Sequence, residues 1–408
     1  MPEGPIRTTV SDDDPEGLVL AAIERCFENG WTDGLPVVPP LPRLVDALLA
    51  ETARDPDEII WTMSQVRRSC TVRLAAVNAA MAGCRPEYFP VVLAALEATI
   101  DEGWPGMGAW QSTTGGGPLH VVNGPVRTEL GFNCTGNVFG PGFRPNATVG
   151  RAIRLVILNV FDLRPHVLDQ STQGTSGKYT LCIGENEEDS PWEPIHVELG
   201  AAPGTSMVSA MHVRSVECVD HRHSAEPAHL LNDLALTISR NAGGPRGHKR
   251  AAVILGPEHA HLLARRGMSK QDVKEHLAER VGQTRGQLRS MGRRPPGRHG
   301  PDGSGGAGAA GGPGGPDGLG ELAPPGMFSE ASRAGYGDGV GDGVGDGLDD
   351  GLDDELVRWV HTPDDLLVVV SGANNAGVSA VAHPLGIATR LPGRAVVAPR
   401  RRSAPAAT

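Results

Sequence analysis

Apolar residues in the first hundred positions recur at helical spacing. Over residues 14–28, Leu18, Ala21, Ala22 and Cys26 fall on one face and Gly30 sits just past the end, which predicts a helix. Pro36, Pro39, Pro40 and Pro42 then forbid regular helix until Pro42, which fits the first turn of the next one. Residues 71–83 and 86–100 read as two helices joined at Cys84–Arg85. Their apolar positions (Leu74, Val77, Met81, then Val91, Val92, Leu93, Leu96) suit a helical hairpin packed on a core.

The texture changes near residue 105. Short apolar runs at 119–123, 179–183, 195–199, 251–255 and 366–370 read as strands. Helices are expected at 147–163 with Asn146 as N-cap, at 229–238, from Glu258, and from Ser269, where Asp272 completes a capping box. Three apolar runs end in glycine turns: VVNGP, VILGP and VVVSG. Ligands collect at such strand ends in α/β folds, although glycine can equally serve only to turn the chain. The expected class is α/β: a helical N-terminal region packed on a mixed sheet body, with a disordered Gly/Asp-rich insertion.

The predicted organisation is a flexible 1–12, a helical region 13–104, an α/β body 105–292, a disordered linker 293–355, a strand segment 356–390 completing the body, and a basic disordered tail 391–408. The chain holds 55 Gly and 34 Pro, about 22% of 408 residues against an ordinary ~12%. Much of this excess lies in PPGRHGPDGSGGAGAAGGPGG and GYGDGVGDGVGDGLDDG, which offer too few apolar residues to offset ordering entropy. Residues 295–355 also hold twelve acids against two bases, so −10 of the net −11 resides there and the remainder is near neutral. The four-residue GDGV period matches neither nine-residue calcium repeats nor an EF-hand loop.

The near-neutral body lacks the clustered Lys and Arg of a nucleic-acid footprint. No apolar run approaches the ~20 residues of a membrane span. The opening MPEGPIRTTVSDDDPEG carries acids where a signal peptide would have a basic start, so a cytoplasmic location is expected.

Three polar stretches carry candidate chemistry. The first, NGPVRTELGFNCTGNVFGPGFRPN (123–146), offers Arg127 and Arg144 as forked cations for a carboxylate or phosphate. Asn123, Asn133 and Asn146 could orient that anion, and the helix start near 146–148 adds N–H donors. It contains neither a Walker A GK[ST] nor a Rossmann GxGxxG, and structural turns are the alternative. In the second, Lys178 and Glu185 flank a strand with opposite charge. Glu185, Asn186, Glu187 and Glu188 there could supply a general base or metal oxygens, or form a solvated turn. The third gathers His212, Cys218, Asp220, His221, His223 and His229. These are residue types zinc takes, at a spacing that fits no standard finger. An Asp220–His221 catalytic pair and ordinary packed histidines are the competing readings. Six scattered cysteines without CxxC suit a reducing compartment, and Cys134, in a glycine loop, is the best-placed thiolate candidate.

Long phrases in the chain, GWTDGLPVVPP, NAAMAGCRPEYFPVVLAALEA, FGPGFRPNATVGRAIRLVILN, TQGTSGKYTLCIGENEEDSPWEPIHVE and LGPEHAHLLARRGMSKQDVKEHL, resemble an uncharacterised bacterial family of high-GC genomes. That family is akin to, or partnered with, the UGSC-type (seleno)proteins. The resemblance covers about 15–290 and the strand near 366. It implies an association with selenoprotein or thiol redox chemistry and no settled activity. The chain has no UGSC-like Cys motif, and the 295–355 insertion and Pro/Arg tail are peculiar to it.

The resulting expectation is an enzyme acting on a small anionic metabolite, in bacterial specialised-metabolite or antibiotic biosynthesis, by a lyase, transferase or thiol-dependent reaction. Arg127 and Arg144 would bind the anion and Asn123, Asn133 and Asn146 orient it. Lys178, Glu185 or His221 would move protons, and Cys134 is the candidate nucleophile. No cofactor is identified, and neither nucleic acid nor membrane is an expected partner. The alternatives are a non-catalytic subunit that docks on a co-encoded enzyme through 71–100, and a metalloenzyme using the 212–229 cluster.

Overall fold

Prolines and capping side chains decide where the helices begin. In the computed structural model, which describes residues 14–103, 109–240, 250–293, 353–385 and 392–400, α1 (Pro15–Glu28) starts with the Asp14 carboxylate accepting the Gly17 N–H at 3.0 Å. Pro42 opens α2 (Pro42–Leu49). An antiparallel hairpin of β1 (Ile59–Met63) and β2 (Arg68–Thr71) follows. The Thr71 hydroxyl then caps α3 (Val72–Ala82), which stops at Gly83 in the left-handed conformation (φ +85°). The next helix, α4 (Phe89–Asp101), completes the expected helical hairpin.

The body continues with β3 (Gly117–Asn123), α5 (Pro125–Glu129), α6 (Arg144–Asn159), β4 (Cys182–Gly184), α7 (Ile195–Glu198), β5 (Met207–Asp220), α8 (Pro227–Arg240), β6 (Ala251–Leu255), α9 (Pro257–Arg265) and α10 (Lys270–Arg280). Ser269 and Asp272 form the capping box of α10. After β7 (Gly282–Thr284), α11 (Arg285–Ser290) and β8 (Leu356–Arg358) come β9 (Leu366–Val370), β10 (Val378–Pro384) and β11 (Gly393–Val396). The chain divides into two units, 1–282 with 358–408, and 283–357. Within the second, Arg285 pairs with Glu355 and Arg289 with Asp353.

The first unit is built on a seven-stranded mixed sheet ordered β4-β3-β5-β10-β6-β9, with β11 also on β5. β3 and β4 are parallel, as are β6 and β9, and the other pairings are antiparallel. The sheet curls until strands at opposite ends of that order meet. Asn186 N–H donates to the Val370 carbonyl (2.7 Å) and Ser371 Oγ to the Gly184 carbonyl (2.7 Å). Period-2 alternation divides the core between the two faces. Val122, Cys182, Val208 and Ala210 join the helices α3, α4 and α6, while Leu119, Val121, Ile183, Met211, Ile254 and Val369 form a second cluster. The α/β class, the helical N-terminal region and the mixed sheet are therefore as the sequence predicts.

Four local expectations are corrected. Residues 195–199 form the helical turn α7 and no strand: Pro194 precedes it, and the Ile195 N–H is taken by the Glu185 side chain. Of 179–183 only Cys182–Ile183 are strand, because Ser176–Lys178 make a tight turn first. Asn146 is no N-cap. Pro145 occupies the first turn, so α6 begins at Arg144 and Asn146 lies inside it. Residues 393–396 belong to the sheet rather than to a disordered tail, since β11 pairs with β5 from Gly393↔Ala210 to Val396↔Met207. At the end of the expected linker, Asp353 and Glu355 are held by the ion pairs above. The expectations for 1–12, for the repeats through 352 and for 401–408 fall outside the described residues. No helix among those described is long and apolar enough to cross a membrane.

Candidate active site

A cavity of about 720 Å³ opens between the loop after α1, one side of α6 and the loop that leads to β4. Its wall carries Arg154 from α6 and Asp169, Ser171 and Lys178 from the loop. Lys178 Nζ donates to both Asp169 oxygens (2.8 and 2.6 Å) and to Ser171 Oγ (2.5 Å). The Ser171 hydroxyl donates to Asp169 Oδ1, and Arg154 Nη2 donates to Asp169 Oδ2 at 3.4 Å. The loop leading to β4 packs closely on the segment before β3 because Gly115 (φ +74°) has no side chain: a Cβ there would lie 2.6 Å from the Gly174 Cα.

One carboxylate, 5% exposed, thus faces two cations. Asp33, the other acid on this wall, is already neutralised by a fork from Arg151 at 2.7 and 2.8 Å. The wall keeps one positive charge in excess, which suits an anion. Burial lowers the Lys178 pKa below its ordinary value, with the hydrogen bond and charge of Asp169 opposing it. Burial would raise the Asp169 carboxyl, but hydrogen bonds from Lys178 and Ser171 and the charges of Lys178 and Arg154 outweigh it and hold the carboxyl below its usual range. Asp169 is therefore the anion of the pair and Lys178 a cation with a loosened proton. The Ser171 hydroxyl sits between a group that can take its proton and one that can neutralise its oxygen.

A second, closed set of charges lies at the carboxyl ends of β3 and β4. Asn123 Nδ2 donates to Glu185 Oε2 (2.6 Å) and Glu187 Oε1 (3.0 Å), and the Ile195 N–H to Glu185 Oε2 (2.8 Å). Lys270 Nζ lies 3.7 Å from Glu185 Oε1. Arg127 pairs with Glu188, and its Nη1 donates to Cys134 Sγ at 3.2 Å. The Gly124 N–H donates to Glu187 Oε1 at 2.7 Å from a backbone at φ +79°, where a Cβ would lie 2.3 Å from the Thr205 carbonyl oxygen. Glu185 is fully buried. Burial raises its pKa, against the opposing Lys270 charge and the Ile195 and Asn123 hydrogen bonds. Burial likewise raises the Cys134 thiol, and Arg127 offsets only part of the shift. Asn123 Oδ1, Glu185 Oε1, Arg127 Nε and both His196 ring nitrogens have no hydrogen-bond partner among the described residues. Ordered water or a polar ligand satisfies such atoms in native proteins.

The expected site residues are therefore distributed over several places. Asn123, Arg127, Cys134 and Glu185 come together, while Lys178 stands before β4 and Glu185 after it. Asn146 stitches the loop to β4: Oδ1 accepts the Asn133 N–H (2.8 Å) and Nδ2 donates to the Asn133 and Cys182 carbonyls (each 3.0 Å). Arg144 is exposed, with Nε and Nη2 on the Gly83 carbonyl (3.0 and 2.9 Å), so it braces α3 rather than joining Arg127. His221 pairs with Asp233, while Asp220 pairs with Arg222. His212 lies in the core, edge-on to Trp110, and burial pushes its pKa down to about 3. Cys218 is exposed and His229 bonds Ser224 Oγ at 2.8 Å, so the 212–229 cluster disperses except at His221 and His223.

Sequence reasoning did not single out Arg154, Asp169 or Ser171. A cation inside the apolar run RAIRLVILN, and an Asp-x-Ser opening the polar stretch that ends in Lys178, were the available signals. Two of the phrases quoted above, GWTDG and TQGTSGKY, contribute to the same cavity wall. Comparison with protein-family models, curated proteins and solved structures finds no match for this chain.

Proposed function

We propose that this chain is an enzyme that binds a small anionic molecule against Arg154 and Lys178 and moves a proton through Ser171. The observation that carries this reading is the single buried carboxylate of Asp169, shared by two cations and a serine hydroxyl on the wall of an open cavity. In this reading Lys178 and Arg154 meet the substrate's charge, Asp169 accepts a proton from Ser171, and Lys178 neutralises the oxygen left behind. Acid–base chemistry of the lyase or transferase kind is favoured over thiol chemistry, because Cys134 lies in the closed cluster and its environment favours the thiol. A cytoplasmic, biosynthetic setting and kinship with UGSC-type proteins belong to the same proposal. The first rests on composition and the second on the quoted phrases.

The reading as a docking subunit has less support. Ten of the thirteen residues of α4 are buried within this chain, so that helix spends its apolar surface internally. Calorimetric titration with phosphate and with malonate tests anion binding. Saturable binding is expected for at least one of them, weakened about tenfold or more in Lys178→Gln, a change worth ~1.4 kcal/mol. No saturable binding, or equal affinity in the variant, contradicts the proposal.

A further inference from the structure

His221 and His223 are two residues apart, the spacing that puts side chains on one face of an extended chain. The structure ends β5 at Asp220, one residue earlier, and anchors the turn by the His221 N–H on the Gly377 carbonyl at 2.8 Å. Past the strand end the two residues keep that relationship, with their ring centroids 4.4 Å apart. Asp233, on the second turn of α8, points at them, and one ligand atom from each of the three residues lies within 4.8 Å of the others. His221 is 2% exposed. Its Nδ1 meets Asp233, and its Nε2 has no hydrogen-bond partner among the described residues.

The neighbouring polar groups are already engaged. Asp220 pairs with Arg222 at 3.0 Å and Glu226 with Arg266 at 3.7 Å. His259 bonds Ser379 Oγ (2.7 Å) and the His221 carbonyl (3.0 Å). What remains is two imidazoles and a carboxylate whose one hydrogen bond among the described residues, His221 with Asp233, lies within the group itself.

We propose that His221, His223 and Asp233 bind one divalent transition-metal ion, of the zinc or ferrous class, at the end of β5 and the start of α8. Two nitrogens and one oxygen suit these ions, whereas magnesium and calcium prefer all-oxygen sites. Donors about 2.0–2.2 Å from a zinc ion stand closer together than 4.8 Å. Rotation of the exposed His223 and the half-buried Asp233 closes that gap, with the buried His221 as the fixed point. Three protein ligands leave a coordination position open to water or a substrate oxygen, the arrangement of catalytic rather than structural zinc sites.

The test uses the full chain stripped with a chelator, then titrated with Zn²⁺, with Fe²⁺ under anaerobic conditions and with Mg²⁺, and read by elemental analysis and by the visible bands of a Co²⁺ substitution. One Zn²⁺ or Fe²⁺ per chain is expected, with Mg²⁺ bound far more weakly. His223→Ala and Asp233→Ala should each lower affinity by at least the ~10–100-fold that loss of an outer-shell partner costs, with an unchanged far-ultraviolet spectrum. His223 is exposed, so its variant keeps the fold even where His221→Ala does not. No stoichiometric ion, an ion retained equally by both variants, or Mg²⁺ preferred over Zn²⁺ each overturns the proposal.

Discussion

Lys178 grips Asp169 with both carboxylate oxygens within 2.8 Å of its Nζ, while Asp169 simultaneously receives Arg154 and the Ser171 hydroxyl. The Asp169 carboxylate is thus the common partner of Arg154, Ser171 and Lys178 on the cavity wall, and its removal leaves two cations without a counter-charge. Asp169→Asn should destabilise the fold by about 3 kcal/mol at neutral pH, at the low end for breaking a buried pair because Lys178 borders the cavity. The folded carboxyl titrates below its unfolded value of ~3.9, so the stabilisation is complete above that pH and disappears as pH falls through the folded value. Urea denaturation of both proteins should therefore converge below about pH 4. A difference that stays constant as pH falls well below about 4 contradicts the ion pair.

Glu185 predicts the opposite slope. Its folded pKa is raised by burial, so the folded state holds a proton that the unfolded state releases near pH ~4.3. Stability should fall as pH rises from that value through the folded pKa, and the cost is fully present above it. Glu185→Gln should flatten this part of the stability–pH curve, measured by urea midpoints across pH 4–8. A variant curve parallel to wild type counts against an ionisable Glu185 as the source.

Thiol reactivity separates the cysteines by environment. Burial raises the thiols of Cys70 and Cys84 to about 12 and also raises Cys134, whereas Cys218 is exposed. Iodoacetamide at neutral pH should label Cys218 first, and Cys218→Ser should abolish the fast phase in peptide mapping. Fast labelling of Cys134 would restore the thiolate reading.

Gly124 is a backbone requirement. Its φ of +79° and a virtual Cβ 2.3 Å from the Thr205 carbonyl oxygen leave no space for a methyl group. Gly124→Ala should cost upwards of ~2 kcal/mol in denaturant midpoints, through strain and the disturbed Glu187 contact. A loss within ~0.5 kcal/mol contradicts this.

Most helices were legible because their boundaries are written locally: Pro42, Asp14 before Pro15, and the Ser269–Asp272 box each fix a start without tertiary help. The strands were less so. β5 is buried on both faces over 207–213 and frays to polar alternation after it, so no single period marks it. β11 is strand only because β5 offers a free edge beside Ala210. The polar loops were seen as candidate chemistry, and one cluster did gather Asn123, Arg127, Cys134 and Glu185. Their separation from Lys178 was not legible, because it depends on which end of the three-residue β4 each occupies. Asp233 was hidden for a related reason: it meets His221 only once α8 folds back on β5.

The most direct test of the central claim is turnover. Purified protein is incubated with a fractionated pool of small anionic metabolites, and the pool is followed by mass spectrometry. Wild type should consume at least one carboxylate- or phosphate-bearing species, and Ser171→Ala and Lys178→Gln should be slower by ~10²–10⁴, the usual contribution of a positioned proton-transfer group. Consumption at the wild-type rate by Ser171→Ala and Lys178→Gln, or no species consumed by wild type, contradicts the account.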